Sequence, residues 1–109
     1  HTIVTGSAMS AGFLIAIHGH ERFAYPKASL MYHVVSSGVI GTIADMEENL
    51  VEMRRLQDAI EEYTLERTKI TSAKLQEVYK AKQDWYMSAE EALKHGCIDA
   101  IVGVQPAAK

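Results

Sequence analysis

Two residues of this sequence have side chains suited to covalent chemistry and stand where the chain changes character: Ser10, in "AMSAG", and His33, at the end of "SLMYH". Ser10 separates a β-branched segment, Thr2–Thr5, from an apolar run, Ala11–Ile17. A hydroxyl at such a junction either caps the helix that follows or serves as a nucleophile on a tight turn. Ala8, Ala11 and Gly12 are small enough to permit such a turn, and the amide after the serine would face the oxygen that becomes negative during attack. The spelling is not GxSxG, and Ser7 is a second candidate for either role. The His33 imidazole is either a satisfied group at the core edge or a general base titrating near neutrality. His18 and His20 form an HxH pair with no third ligand at short spacing, so a solvated loop is expected and no metal site. His95 closes a helical segment, where the helix dipole accounts for it. Cys97 has no basic neighbourhood in the sequence to lower its pKa and reads as a packing residue.

These residues must be positioned by the elements around them. Thr2–Thr5 reads as a short buried strand, Ser7–Ser10 as a turn, and Ala11–Ile17 as a buried helix stopping near Gly19. "HGHER" is a loop, and strands are expected at Arg22–Tyr25 and Ser29–His33, with Pro26 marking the bend between them. Val34–Gly41, "VVSSGVIG", reads as extended. From Thr42 to Arg67 the residues Ile43, Met46, Leu50, Met53, Leu56, Ile60 and Tyr63 recur at spacings of three or four, which marks one apolar helix face. Such a helix would be roughly 39 Å long. A body this small leaves part of it projecting, with an apolar stripe for a partner to cover. Helices are expected again at Ser72–Lys80 and Ser88–His95, the second opened by a Ser88/Glu91 capping box and stopped by Gly96. "KQDWY" reads as irregular, "IDAIV" as a last strand and "QPAAK" as a loose tail. The order of elements is that of an α/β protein. It opens on a strand already under way, and the sequence reads as part of a longer domain.

Composition narrows the function classes. The 109 residues, 48% apolar and 23% charged, have the make-up of one soluble globular domain. A net charge of −3 provides no basic field for a nucleic-acid backbone. The longest apolar run, Gly12–Ile17, is far short of the roughly 20 residues that span a bilayer, and nothing at the start reads as an export signal. A single cysteine fits a reducing, cytoplasmic setting.

Three stretches taken together, "TIVTGSAMSAGFLIA", "RFAYPKASLMYHVVSSGVIGTIADME" and "YMSAEEALKHGCIDAIV", resemble the proteolytic subunit of the Clp protease in order and spacing, over Thr2–Val102. The resemblance implies a crotonase-like α/β fold, of which residues 1–109 would be the C-terminal portion, with 42–67 as the projecting handle helix. It implies a serine peptidase of a self-compartmentalised protease: a homo-oligomer of seven-membered rings stacked face to face, fed with unfolded polypeptide by an ATP-dependent unfoldase and needing no cofactor. Phage and prophage relatives that process capsid proteins belong to the same group. Position by position, Ser10 matches the nucleophile, His33 the general base and the amide of Ala11 one oxyanion-hole donor. Val34–Gly41, including Val34, Ser36, Ser37, Gly38 and Val39, matches the segment that pairs with substrate backbone by strand addition.

There are two departures from the pattern. The triad aspartate should fall eight residues before Ser88, where this sequence has Lys80, which cannot orient a histidine or stabilise imidazolium as a carboxylate does. Asp84 and Glu77 are the candidate substitutes. The second oxyanion donor of the family lies in a segment that would precede residue 1, and losing one donor costs roughly a hundredfold to a thousandfold in rate. Three other readings stay open: a ring subunit without activity, favoured by Lys80; an acyl-CoA enzyme of the crotonase fold, such as an enoyl-CoA hydratase; and a Ser–Lys peptidase similar to signal peptide peptidase, with Lys69, Lys74 or Lys80 as base.

Overall fold

In the computed structural model, which describes residues 1–36, 38 and 40–104, the chain forms two three-stranded sheets flanked by helices. Strands β1 (Thr2–Val4), β3 (Arg22–Ala24) and β6 (Ala100–Ile101) make the first, parallel and in the order β1-β3-β6. Strands β2 (Ser7–Met9), β4 (Ser29–Tyr32) and β5 (Trp85–Ser88) make the second; β2 runs parallel to β4 and β5 antiparallel to it. The chain steps directly from the first sheet to the second twice, at Thr5–Gly6 and at the turn around Pro26. Hydrogen bonds from Tyr25 N to Val4 O and from Ser29 N to Gly6 O, both 2.9 Å, hold the two steps side by side.

Helix α1 (Ala11–Ile17) connects β2 to β3, and its buried residues Phe13, Ala16 and Ile17 lie in one core with Leu30, Tyr32 and Met87 of the second sheet. Strand β4, flanked on both sides, buries Leu30, Met31 and Tyr32 in succession, as a central strand does. Helix α4 (Ala89–Lys94) begins with the expected capping box: Ser88 Oγ accepts from Glu91 N at 3.1 Å. It ends at Gly96, whose φ of +73° is costly for any other residue and where a Cβ would stand 2.9 Å from Lys69 N. Helix α3 (Ser72–Ala81) is capped by Thr71.

Helix α2 (Ile43–Arg67), 25 residues, is fixed at its start by a Thr42/Asp45 capping box. It meets the body from about its middle onward, where Arg54 Nη2 donates to Tyr79 Oη at 3.3 Å. There Gln57 and Thr64 are fully buried and Ile60 packs on the core, while Ile43 and Val51 remain 76% and 71% exposed. The helix lengthens the molecule to 58 Å against 25 and 23 Å in the other directions. Its C-terminal end is anchored to that of α1, with Arg67 donating to the carbonyls of Ile17 and Gly19 and Arg22 donating to the carbonyl of Arg67. Cations placed on terminal carbonyls satisfy groups that a helix end leaves open.

The structure corrects the sequence reading at several elements. Ser7–Met9 is a strand rather than part of a turn, because the ladder to β4 captures it, and "KQDWY" gives way at Trp85 to strand β5. The apolar stripe of α2 is open in this chain, with Ile43, Met46, Leu50, Leu56 and Tyr63 facing solvent as a projecting helix leaves them, but the buried side takes in the polar Gln57 and Thr64 beside Ile60. Among the described residues no helix is long and apolar enough to cross a membrane. The tail "QPAAK" lies outside them.

Candidate active site

Strand β2 delivers Ser10 to the end of the second sheet. Ser10 N continues the ladder with a 3.3 Å bond to Met31 O, after which the backbone adopts φ 56° and ψ −115° and enters α1. That conformation is strained for any residue with a Cβ, by about 1–3 kcal/mol, and it is how a strand-to-helix turn presents a serine hydroxyl outward. The N-cap alternative fails on geometry, since the Ser10 side chain makes no capping hydrogen bond to α1. Ala11 is the first residue of that helix, so its N–H has no partner within it.

His33 follows β4 directly. The parallel register pairs Met9 with Met31, which sets Ser10 beside the Tyr32–His33 end of the neighbouring strand. Both residues line one cleft of about 240 Å³, together with Ala11, Phe13, Leu14, Val35, Ser36 and Ile60 among others. The cleft is walled mostly by hydrocarbon. His33 is half-buried, and its Nδ1 lies 2.7 Å from Val34 O. A carbonyl oxygen only accepts, so Nδ1 carries the proton and the lone pair of the neutral ring is on Nε2. That is the tautomer a general base requires.

The remaining candidates are distributed as follows. Val35 and Ser36 line the cleft beyond His33, with Val35 N donating to Gln57 Oε1 at 2.8 Å, while Val34 lines a neighbouring cleft with Gln57 and Tyr79. Gly38 is exposed, and Ser37 and Val39 lie outside the described residues. Asp84 and Glu77 line a second, smaller cleft with Lys74 and Trp85, where Glu77 sits 3.6 Å from Lys74. The β4–β5 register, Tyr32 opposite Trp85, continued by one residue sets Asp84 across from His33. No hydrogen bond joins either carboxylate to the imidazole among the described residues. Lys80 is exposed in the last turn of α3, Lys74 stands over the Trp85 ring at 4.9 Å, and neither these nor Lys69 lines the Ser10 cleft.

The other titratable groups have structural surroundings. His18 bonds the Leu14 carbonyl and meets the Tyr63 ring edge-on, and His95 packs against Trp85. Burial pushes the Cys97 thiol up to about 12, so it is not a nucleophile at neutral pH. Among the described residues no cluster of three or more His, Cys, Asp or Glu side chains could hold a metal. Sequence reasoning missed Gln57 and Tyr32. Gln57 is 3% exposed and its amide reaches Tyr32 Oη at 3.4 Å; burial raises the Tyr32 pKa, and the Gln57 bond counters part of that rise. The available signal was phase, since Gln57 falls four residues after Met53 and three before Ile60.

Comparison with known proteins identifies the family. The family model described as Clp protease matches residues 1–105. The chain belongs to the Clp protease family. It is 34% identical over 103 residues to the ATP-dependent Clp protease proteolytic subunit of Deinococcus radiodurans, covering 93% of this chain and 50% of that protein. Subunit 2 of the ATP-dependent Clp protease from Chlamydia trachomatis serovar D is 33% identical over 104 residues, and that from Chlamydia muridarum 34%; each match covers 94% of this chain and 50% of the relative. The chain thus spans about half the length of these relatives, and the mixed α/β architecture described above is that of part of a Clp-type domain.

Proposed function

We propose that the protein is a serine endopeptidase subunit in which Ser10 attacks the peptide carbonyl and His33 takes the hydroxyl proton at Nε2. His33 then returns that proton to the leaving amine. The acyl-enzyme on Ser10 is hydrolysed by water activated in the same way. The amide of Ala11 stabilises the oxyanion, and Val34–Gly41 pairs with substrate backbone, so that recognition rests on main-chain hydrogen bonds and tolerates varied sequence. One observation carries this reading: Ser10 sits at a strained strand-to-helix turn opening onto the cleft that His33 also lines. Substrates are unfolded or processed polypeptides delivered by an ATP-driven unfoldase, and the setting is cytoplasmic. These assignments rest on the family.

A fluorophosphonate tests the chemistry. In the full-length protein it should modify Ser10, with labelling abolished in Ser10→Ala and in His33→Ala. A second reading, a ring subunit that builds the assembly without cleaving, is favoured by Lys80 at the acid position and by the absence, among the described residues, of a carboxylate hydrogen-bonded to His33. Full-length protein that assembles but takes up no label supports that reading and sinks the first. A Ser–Lys mechanism predicts instead that Lys80→Ala loses labelling while His33→Ala keeps it.

Helix α2 is the handle in this proposal, its exposed half covered by an opposing ring of identical subunits. Leu50 and Val51 are 63% and 71% exposed, so charges there should leave the subunit fold intact. Leu50→Glu with Val51→Glu is expected to shift the protein in sedimentation from a large oligomer to smaller species with unchanged circular dichroism. An intact protein that is already a well-behaved monomer would remove the handle assignment.

A further inference from the structure

A single peptide group connects the base to the helix behind it. The carbonyl of Val34 lies 2.7 Å from His33 Nδ1, and the N–H of Val35, the other end of the same peptide unit, donates to Gln57 Oε1 at 2.8 Å. In a trans peptide those two groups point in opposite directions in one plane. Holding the N–H from one side therefore aims the carbonyl at the imidazole on the other. Gln57 is itself immobilised: its Nε2 donates to Glu61 Oε1 at 2.9 Å and reaches Tyr32 Oη at 3.4 Å. Its side chain thus touches the residue before the base and the second residue after it.

We propose that Gln57 is a positioning residue that, through the Val34–Val35 peptide, fixes the tautomer and ring orientation of His33. A triad carboxylate ordinarily supplies that function, and here the matching position holds Lys80. The inference rests on the reading of Ser10 and His33 as nucleophile and base. Donation from Val35 N–H to Gln57 polarises the peptide and makes the Val34 carbonyl a stronger acceptor. A peptide carries no net charge, so the arrangement orients the imidazole but stabilises imidazolium less than an aspartate would. The expected enzyme is a working but slow one. Asp84, opposite His33 by register, is the competing candidate.

The test combines the rate of fluorophosphonate labelling at Ser10 in the full-length protein with 15N spectra of the histidine rings. In the wild type, neutral His33 should be protonated at Nδ1. Gln57→Met, of similar length but without the hydrogen bonds, should slow labelling about tenfold or more and move His33 toward the Nε2–H tautomer. The double variant Gln57→Glu with Glu61→Gln should restore the rate, because Val35 N–H, Tyr32 O–H and the amide introduced at position 61 can all donate to one carboxylate. A folded Gln57→Met that labels at the wild-type rate overturns the proposal and leaves Ser10 and His33 in place. So does loss of labelling in Asp84→Asn with none in Gln57→Met. Should Gln57→Met fail to fold, a folded double variant labelling at the wild-type rate supports the proposal and a slow one overturns it. An Nε2–H tautomer in the wild type overturns it without any variant. A wild type that takes no label at Ser10 overturns both this inference and the peptidase reading beneath it.

Discussion

Ser10→Ala is expected to reduce peptide hydrolysis by the full-length, assembled protein by roughly 10⁴- to 10⁶-fold, and His33→Ala by a comparable factor. The two losses should not multiply. A nucleophile and its base act as one unit, so the double variant is expected to be about as active as either single one. What survives is the contribution of binding and the oxyanion donor, worth roughly 10³- to 10⁴-fold over water. Peptide affinity should hardly move, because the Ser10 hydroxyl stands at a turn and, among the described residues, makes no capping hydrogen bond whose loss would disturb the cleft. Fluorogenic peptide turnover with active-site titration measures the first quantity and fluorescence anisotropy of a bound peptide the second. If Ser10→Ala kept a tenth of the activity, the nucleophile would have to be sought elsewhere, and Cys97, buried and with its thiol pushed up, would not be it.

What the sequence disclosed about this site, and what it hid, divides along local and non-local physics. The boundaries of α1 were readable because Ser10 and His18 bracket its apolar run, although the run is only partly buried, with Phe13, Ala16 and Ile17 inside and Ile15 68% exposed. The start of α4 was readable because Ser88 and Glu91 satisfy each other within one turn. Strand β2 was hidden: Ser7–Met9 has no strand-forming character of its own and is extended because β4 lies alongside. Strand β5 was masked differently, since Ser88 is both its last residue and the cap of α4. In α2 the periodicity located the helix but not its buried side. Leu50 and Leu56, on the apolar stripe, are exposed, whereas Gln57 looked like surface and is buried, a polar residue accepted inside because its amide is satisfied at both ends. That Ser10 and His33 line one cleft was legible only through family resemblance. Its physical cause is the parallel register of β2 and β4, which no local pattern reports.

Phe13 is where core and cleft coincide, and Phe13→Ala is expected to be the most damaging substitution for stability near the site. The ring is 1% exposed, meets Tyr32 edge-on at a centroid distance of 6.1 Å, and forms part of the cleft wall beside Ser10. Truncating a buried phenylalanine costs about 3–5 kcal/mol, of which the edge-to-face contact accounts for about 0.5–1.5 kcal/mol beyond the area buried. Small domains are stable by only about 5–15 kcal/mol, so a large share of the folding free energy would go, and Tm should fall by well over 10 °C. Phe13→Leu keeps most of the volume and should cost far less. It also separates two effects: if Phe13 only fills the core, the leucine variant should keep both wild-type fluorophosphonate labelling and wild-type KM. If the ring also sets the shape of the cleft through Tyr32, labelling should persist while KM for peptides with large apolar side chains rises. Urea melts of the two variants decide the stability claim, and a Phe13→Ala protein as stable as the wild type would mean that this side of the cleft is not packed as described.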